Sequence, residues 1–212
     1  MSEARTEILR RTRAALGSPD ARQPGVVEVP RSYRQAGEHD MDHTAMLEQL
    51  VDRLVDYRAE VVRCDGDIGR SVRAALQEKG VRSVVLPPDL DRAWVGEGLD
   101  VTVDDGALRA GDLDAIGAVV TTARVAVAET GSIVLDTQEG NGRRILSLVP
   151  DVHVCVLREA QVVPSVPDAV AVLDPRLPLT WISGPSATSD IELSRVEGVH
   201  GPRTLVVVLV AG

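Results

Sequence analysis

The spacing of hydrophobic and polar positions predicts two helices near the start of the chain. In residues 2–16, Ile8, Thr12, Ala15 and Leu16 fall on one helical face, and Ser2 is a suitable N-cap. Residues 42–57 repeat aliphatic side chains at helical spacing between charged positions, which is typical of an amphipathic helix. Residues 20–40 contain proline and glycine without a sustained period, so we expect a loop or extended arm there.

From residue 60 onward the pattern alternates between short aliphatic runs and a helix. Residues 60–63 predict a strand, residues 67–79 a helix and residues 83–86 a second strand. Further β-like runs follow at residues 118–122, 132–136, 153–157, 180–183 and 204–210. The last run is aliphatic on both faces, as expected of a central strand. The sequence therefore predicts an α/β domain over residues 41–212, with a parallel sheet and helices on its faces, after an N-terminal helix and arm over residues 1–40.

Composition disfavours nucleic acid as the partner. The 212 residues are 44% apolar, which supports one buried core, but only 2% are aromatic, so few side chains are present on which bases could stack. A net charge of -9 also disfavours contact with a phosphate backbone. Residues 1–36 are an exception, with seven arginines against four acidic residues, and this basic arm could dock an acidic partner.

The two cysteines predict neither a metal site nor a cluster. Cys64 and Cys155 lie far apart without CxxC or Cys-His spacing, so we expect reduced, buried thiols and no metal ligands in this chain. Residues 2–13 are charged and do not resemble a signal peptide, and no apolar run approaches the roughly 20 residues that span a bilayer. We therefore expect a cytoplasmic protein without a membrane span.

The first candidate site segment lies between two β runs. Ligands bind beyond the carboxyl ends of the strands in open parallel sheets, so polar residues after β runs are of interest. Glu129 is followed by Thr130, Gly131 and Ser132, and a buried carboxylate there could act as nucleophile or general base. The structural alternative is that Glu129 caps a turn or pairs with Arg124.

The second candidate segment is glycine-rich. Gly140, Asn141 and Gly142 would let backbone N–H groups converge, and Arg143 would favour an anionic ligand. Neither the dinucleotide fingerprint nor the phosphate-binding loop is present, so a plain hairpin or loop turn is the alternative.

The third candidate segment follows the β run at residues 180–183. A hydrolase triad of Ser186, Asp190 and His200 is disfavoured because GxSxG is absent. A metal site including Glu192 is disfavoured because carboxylates at i and i+2 do not share a helix face. Helix capping and loop hydrogen bonding are the structural alternative. We predict that the three segments converge at one cleft at the carboxyl edge of the sheet, with these ligand-binding residues from the third: Gly184, Pro185, Ser186, Thr188, Asp190 and His200.

Together the three segments resemble the lactate-utilisation protein C family, also called LutC or YkgG, which is built on the LUD domain. The resemblance rests on residues 129–132, residues 140–144 leading into 148–153, and residues 184–192 with 198–202. It implies a mainly parallel, Rossmann-like sheet of the NagB/RpiA/CoA-transferase group, with extra β structure. It also implies a part in oxidising L-lactate to pyruvate with companion proteins that carry iron–sulfur clusters.

These implications leave two functions open. The chain is an accessory or ligand-binding subunit without a cofactor of its own, or it is a small-molecule enzyme or binding protein related to CoA transferases and folate cyclo-ligases. The second function would use Glu129 as nucleophile or base, by analogy with the glutamate of CoA transferases. A homo-oligomer is an open alternative for its assembly.

Overall fold

The computed structural model describes residues 3–17, 29–34, 41–188, 196–197 and 201–212. The backbone divides into two compact units, Met1–Tyr33 and Arg34–Gly212. In the first unit, helix α1 spans Glu3–Leu16 and confirms the helix predicted over residues 2–16. Glu7 of this helix pairs with Arg10 and Arg11 one turn further on. Residues 29–34 of the predicted arm are irregular, and the domain boundary predicted at residue 40 stays a prediction.

The second unit alternates helices and strands. Its helices are α2 His43–Asp56, α3 Ile68–Glu78, α4 Ala110–Asp114 and α5 Val166–Val172. Its strands are β1 Glu60–Cys64, β2 Ser83–Leu86, β3 Asp100–Val103, β4 Ala118–Thr122, β5 Val125–Val127, β6 Ser132–Leu135, β7 Val152–Arg158, β8 Val162–Val163, β9 Thr180–Ile182, β10 Ala187–Thr188, β11 Val196–Glu197 and β12 Thr204–Val210. In the described part of the chain, every helix is too short or too polar to cross a membrane.

Six of these strands form one parallel sheet in the order β1-β12-β7-β4-β2-β3. Strand β12 pairs with β1 on one side and β7 on the other, and residues 205–210 are buried, so the prediction of a central strand is confirmed. We call the edge where β2, β4 and β7 end, at Leu86, Thr122 and Arg158, the carboxyl edge. The opposite edge, where the same strands begin, is the amino edge.

Both faces of the parallel sheet are covered. Helix α3 packs Val72 and Leu76 against one face, among the valines of β7 and β12. Helix α2 packs Leu50 and Leu54 against the other face, where Leu157 is buried. The predicted α/β fold, with a mainly parallel sheet and helices on both faces, is therefore confirmed.

Local chemistry explains where α3 begins and ends. The Asp67 carboxylate accepts the backbone N–H of Arg70 at 2.8 Å and so satisfies a donor of the first helical turn. After Lys79 the chain leaves the helix through Gly80, whose φ of 65° lies in the left-handed region that glycine adopts at low cost.

A second, four-stranded sheet in the order β8-β5-β6-β9 lies on the α2 side of the core. The predicted strands at residues 132–136 and 180–183 exist, but they belong to this sheet rather than to the parallel one. Residues 123–124 alone join β4 to β5, and a crossover to a parallel neighbour needs a dozen or more residues. The chain instead leaves the main sheet and folds back as the antiparallel hairpin β5–β6.

Several short elements differ from the sequence pattern. Residues 145–148, which look helical in sequence, overlap a single 3₁₀ turn at Arg144–Ser147. The pattern also did not predict the short helices α4 and α5 or the short strands β3, β5, β8, β10 and β11. Short elements with few buried positions give too weak a period to be recognised.

Candidate functional site

A cleft of about 720 Å³ lies at the carboxyl edge. Its walls come from the chain after β2, from the ends of β4 and β7, and from the loop after β6. Ligands of open α/β sheets bind at this edge, so we take it as the candidate site and call it the carboxyl-edge cleft. The polar residues that line it are Asp89, Asp91, Thr122, Arg124, Asp136, Gln138, Glu139, Asn141, Arg158, Gln161 and Asp174.

Two arginines, Arg124 and Arg158, lie at the ends of the adjacent strands β4 and β7 and line this cleft. Thr122 pairs with Val156 in the β4–β7 ladder, and Arg124 and Arg158 each lie two residues further along the chain. The Nε atom of Arg124 lies 3.5 Å from an Asp136 carboxylate oxygen. A guanidinium has five N–H donors, so this contact leaves Arg124 able to bind a carboxylate.

The acidic residues of the cleft are largely engaged in local contacts. Asp91 accepts the backbone N–H of Ala93 at 2.9 Å, and Asp136 accepts that of Gln138 at 3.1 Å. Asp174 pairs with Arg176. The described lining has five carboxylates against two arginines, so positive charge is confined to the surroundings of Arg124 and Arg158.

The glycine-rich loop contributes Gly140 and Asn141 to the lining of the cleft. Gly140 has a φ of 73°, and a Cβ atom at this position would collide with the Thr122 side chain. The Asn141 amide donates from Nδ2 to the Glu139 carbonyl at 3.0 Å, while its buried Oδ1 has no partner among the described residues. The backbone N–H of Asn141 is also used, because it donates to the Gln138 carbonyl.

Arg143 lies outside the carboxyl-edge cleft, in a neighbouring depression that Gly142 also lines. It donates to both carboxylate oxygens of Asp104, at 2.7 and 2.6 Å, and to the Leu108 carbonyl at 3.1 Å. These hydrogen bonds hold the pKa of the Asp104 carboxyl below its usual value. The geometry supports Arg143 as an anchor for the loop, and its predicted binding of an anion stays a prediction.

Glu129 lies at the far end of the β5–β6 hairpin from Arg124. Its side chain is 44% exposed and pairs with Arg34, with one Nη–Oε distance of 3.3 Å. Its backbone N–H donates to the Pro164 carbonyl. Glu129 therefore pairs with an arginine other than Arg124, and its role as nucleophile or base stays a prediction.

The predicted convergence of the three segments at one cleft is wrong. The hairpin carries Thr130, Gly131 and Ser132 to the amino edge, where the Ser132 hydroxyl lies 2.8 Å from that of Ser183. Gly184, Pro185 and Ser186 also lie at the amino edge, beside the residues that lead into β12. Only Gly140 and Asn141 line the carboxyl-edge cleft. The side chain of Thr188 and all of Asp190 and His200 lie outside the described residues.

The structure brings to cavities several residues that were not predicted as site residues. Arg124, Asp136 and Arg158 lie at or just after the ends of β4, β6 and β7, and this position is the signal that could have identified them. His153 is the polar residue of β7 that faces the core beside Thr121, and a histidine within an aliphatic strand is the corresponding signal.

Comparisons with known proteins match the chain over nearly its whole length. A family model described as the LUD domain matches residues 47–210. Lactate utilization protein C of Deinococcus radiodurans is 41% identical over 99% of this chain and 96% of that protein. The uncharacterized protein YkgG of Escherichia coli is 29% identical over 97% of each chain. A crystal structure of a DUF162 family protein from Deinococcus radiodurans superposes with a TM-score of 0.68 at 35% identity, covering 81% of this chain and 99% of that one.

Proposed function

This chain belongs to the LUD domain family, and on that premise we propose that it is a component of an L-lactate utilisation system that binds a small carboxylate ligand in the carboxyl-edge cleft. The observation that carries the proposal is the 41% identity, over nearly the full length of both chains, to lactate utilization protein C of Deinococcus radiodurans. The matched region covers 99% of this chain and therefore includes the α/β unit in which the cleft lies.

The chemistry of the cleft supports a carboxylate as the ligand. Arg124 and Arg158 extend from adjacent strands into one cavity, and planar guanidinium groups bind carboxylates through paired hydrogen bonds. The Asp136 carboxylate is buried and lies beside Arg124, so it orients the guanidinium while leaving other donors for a ligand. A hydroxy acid such as lactate has the required charge.

Oxidation of lactate to pyruvate releases electrons, and we propose that iron–sulfur partner proteins accept them. An iron–sulfur cluster takes four cysteine thiolates, whereas this chain has two cysteines, Cys64 and Cys155. These two thiols are buried on opposite faces of the parallel sheet, and burial raises the pKa of Cys155 to about 12. We therefore assign this chain an accessory or ligand-binding role.

The alternative, an enzyme of the CoA-transferase type that uses Glu129, draws less support from the geometry. Glu129 is half-exposed, pairs with Arg34 and does not line the carboxyl-edge cleft. A nucleophile in that position would need a ligand site of its own at the surface.

A growth experiment tests the proposed function. The gene is deleted in its host and restored as the wild type, as Arg124→Gln or as Arg203→Gln, and growth is measured on L-lactate and on glucose. Arg203 is a matched control, because its Nε lies 3.5 Å from an Asp151 oxygen, as Arg124 lies from Asp136, but it is at the amino edge. We expect the wild type and Arg203→Gln to restore growth on lactate, and Arg124→Gln to fail.

A second assay addresses the accessory role. The purified chain is mixed with L-lactate and an artificial electron acceptor, alone and with the proteins that co-purify with it. We expect turnover only in the mixture. Turnover by the isolated chain, or normal growth of the deletion strain on lactate, would contradict the proposal.

A further inference from the structure

A second cavity, of about 240 Å³, opens at the amino edge of the sheet. It lies where β7 and β12 begin and where β9 ends, so the parallel sheet separates it from the carboxyl-edge cleft. We call it the amino-edge cavity. Its polar lining includes Ser147, His153, Thr180, Ser183 and Ser186.

His153 is the buried polar group of this cavity. Its side chain is 1% exposed, and its Nε2 lies 2.7 Å from the Thr121 hydroxyl on the adjacent strand. Burial lowers the pKa of the imidazole to about 4, so the ring is neutral at physiological pH. A neutral imidazole has one N–H donor and one acceptor nitrogen, and hydrogen bonds to neighbouring groups determine which nitrogen carries the proton.

The geometry shows which ring nitrogen is available to a ligand. Nε2 is engaged with the Thr121 hydroxyl, and either atom of that pair can be the donor, depending on the tautomer. Nδ1 is the ring nitrogen without a hydrogen bond among the described residues, on a ring that lines the cavity.

A chain of hydroxyl groups reaches the same cavity. Thr130 donates to the Ser132 oxygen at 2.9 Å, and the Ser132 oxygen lies 2.8 Å from that of Ser183. Either serine can be the donor of this second bond, and when Ser132 donates, the Ser183 proton is available to a ligand in the cavity.

The described lining of the cavity contains no aspartate, glutamate, lysine or arginine. Among the described lining residues, a charged ligand would find no counter-ion to offset its lost hydration, which is unfavourable. An uncharged ligand loses less and can satisfy both His153 and Ser183. The volume is below the roughly 300 Å³ of common ligand pockets, so the ligand must be small.

We propose that the amino-edge cavity is a binding site for a small uncharged molecule with adjacent hydroxyl and carbonyl groups, such as a 2-hydroxy amide, whose hydroxyl, able to donate or accept, hydrogen-bonds with His153 Nδ1 and whose carbonyl accepts from Ser183. This site is additional to the carboxylate site of the proposed function and does not depend on it.

Lactamide and lactate are a matched pair of probes, because they share a hydroxyl and differ in the charge of the adjacent group. The full chain is labelled with ¹⁵N-histidine, and the ring resonances of its four histidines are followed by NMR as each probe is added. We expect lactamide to shift the His153 ring resonances in a saturable manner. We expect lactate to require at least about a tenfold higher concentration for the same shift.

A pair of serine variants tests the assigned contact. Ser183→Ala should weaken lactamide binding by about three- to tenfold, the effect of one neutral hydrogen bond. Ser71→Ala, on α3 at the opposite face of the sheet, should have no effect. Ser183 is exposed, so its replacement is expected to leave the fold intact, and the unchanged ring resonances in the absence of probe verify this.

Three outcomes would overturn the proposal: no shift of His153 by lactamide, an equal shift by lactate, or equal lactamide affinity in the two serine variants. None of these affects the proposed carboxylate site, which Arg124→Gln tests separately. Conversely, loss of lactate binding in Arg124→Gln should leave the lactamide response of His153 unchanged.

Discussion

The Arg124 guanidinium and the Asp136 carboxylate lie 3.5 Å apart at the carboxyl edge, and this pair joins the end of β4 to the end of β6. The two partners differ in exposure, since the Asp136 side chain is 4% exposed and that of Arg124 is 52% exposed. The buried carboxylate therefore fixes the direction of a cation that remains accessible to ligands.

Replacement of Arg124 should reduce ligand affinity far more than stability. Hydrogen bonds to a charged partner contribute about 1.5–3 kcal/mol, so Arg124→Gln should weaken L-lactate binding roughly 10- to 100-fold in calorimetry. Because the arginine is half-exposed, the free energy of unfolding should fall by less than about 1 kcal/mol. Arg203→Gln should bind lactate as the wild type does. An equal loss of lactate affinity in both variants would show that Arg124 does not bind the ligand.

Replacement of Glu129 distinguishes the two functions. The Glu129–Arg34 pair is half-exposed, so Glu129→Gln should change the free energy of unfolding by less than about 1 kcal/mol. If the chain is a ligand-binding subunit, this variant should still restore growth on L-lactate. Loss of that growth with an unchanged melting temperature would instead favour Glu129 as a nucleophile or base.

The Asp104–Arg143 pair should make stability depend on acid pH. The folded pKa of Asp104 is lowered, so its contribution is complete above the unfolded pKa of about 3.9 and is lost as the pH falls through the folded value. Asp104→Asn should therefore destabilise the protein by about 1–2 kcal/mol at pH 7, a figure reduced by the partial exposure of Arg143. Urea unfolding at pH 7 and pH 3 should show the difference between wild type and variant shrinking at the lower pH.

His153 should also make stability depend on pH, in a higher pH range than Asp104 does. Its folded pKa of about 4 lies below the unfolded value of about 6.5, so the unfolded chain binds the proton more readily. Stability from this residue is complete above pH 6.5 and decreases towards pH 4, by roughly 3 kcal/mol in total. The free energy of unfolding, measured with urea between pH 7.5 and 4.5, should fall less steeply with decreasing pH for His153→Gln than for the wild type. The same dependence on pH in both proteins would mean that His153 is not buried in its neutral form.

The sequence predicted the parallel sheet because its strands are aliphatic on both faces and its helices are amphipathic. Strand β12 and helices α2 and α3 have strong periods and were found within one or two residues. The division into two sheets was not predicted, since it depends on the two-residue connection from Thr122 to Val125 rather than on any residue preference. Strand β3 and helix α5 have too few buried residues to produce a recognisable hydrophobic periodicity in the sequence.

The candidate site was predicted only in part. Gly140 and Asn141 were identified because a glycine-rich turn can let backbone N–H groups converge on an anion. The two residues do line the cleft, but the Asn141 N–H donates to the Gln138 carbonyl. The meeting of all three segments was wrongly expected because every segment was assigned to the same edge. The β5–β6 hairpin begins and ends at the carboxyl edge, near Arg124 and Asp136. Its turn, which carries residues 129–132, therefore lies at the amino edge.

The position of β12 affects how the protein is made. Strands β1 and β7 are each hydrogen-bonded to β12, which is synthesised after both of them. While the ribosome is still making residues 204–210, the two earlier strands present unpaired edges and uncovered valines, which promote association between chains. We therefore expect the interval before β12 emerges to be a stage of synthesis at which the chain is prone to aggregation.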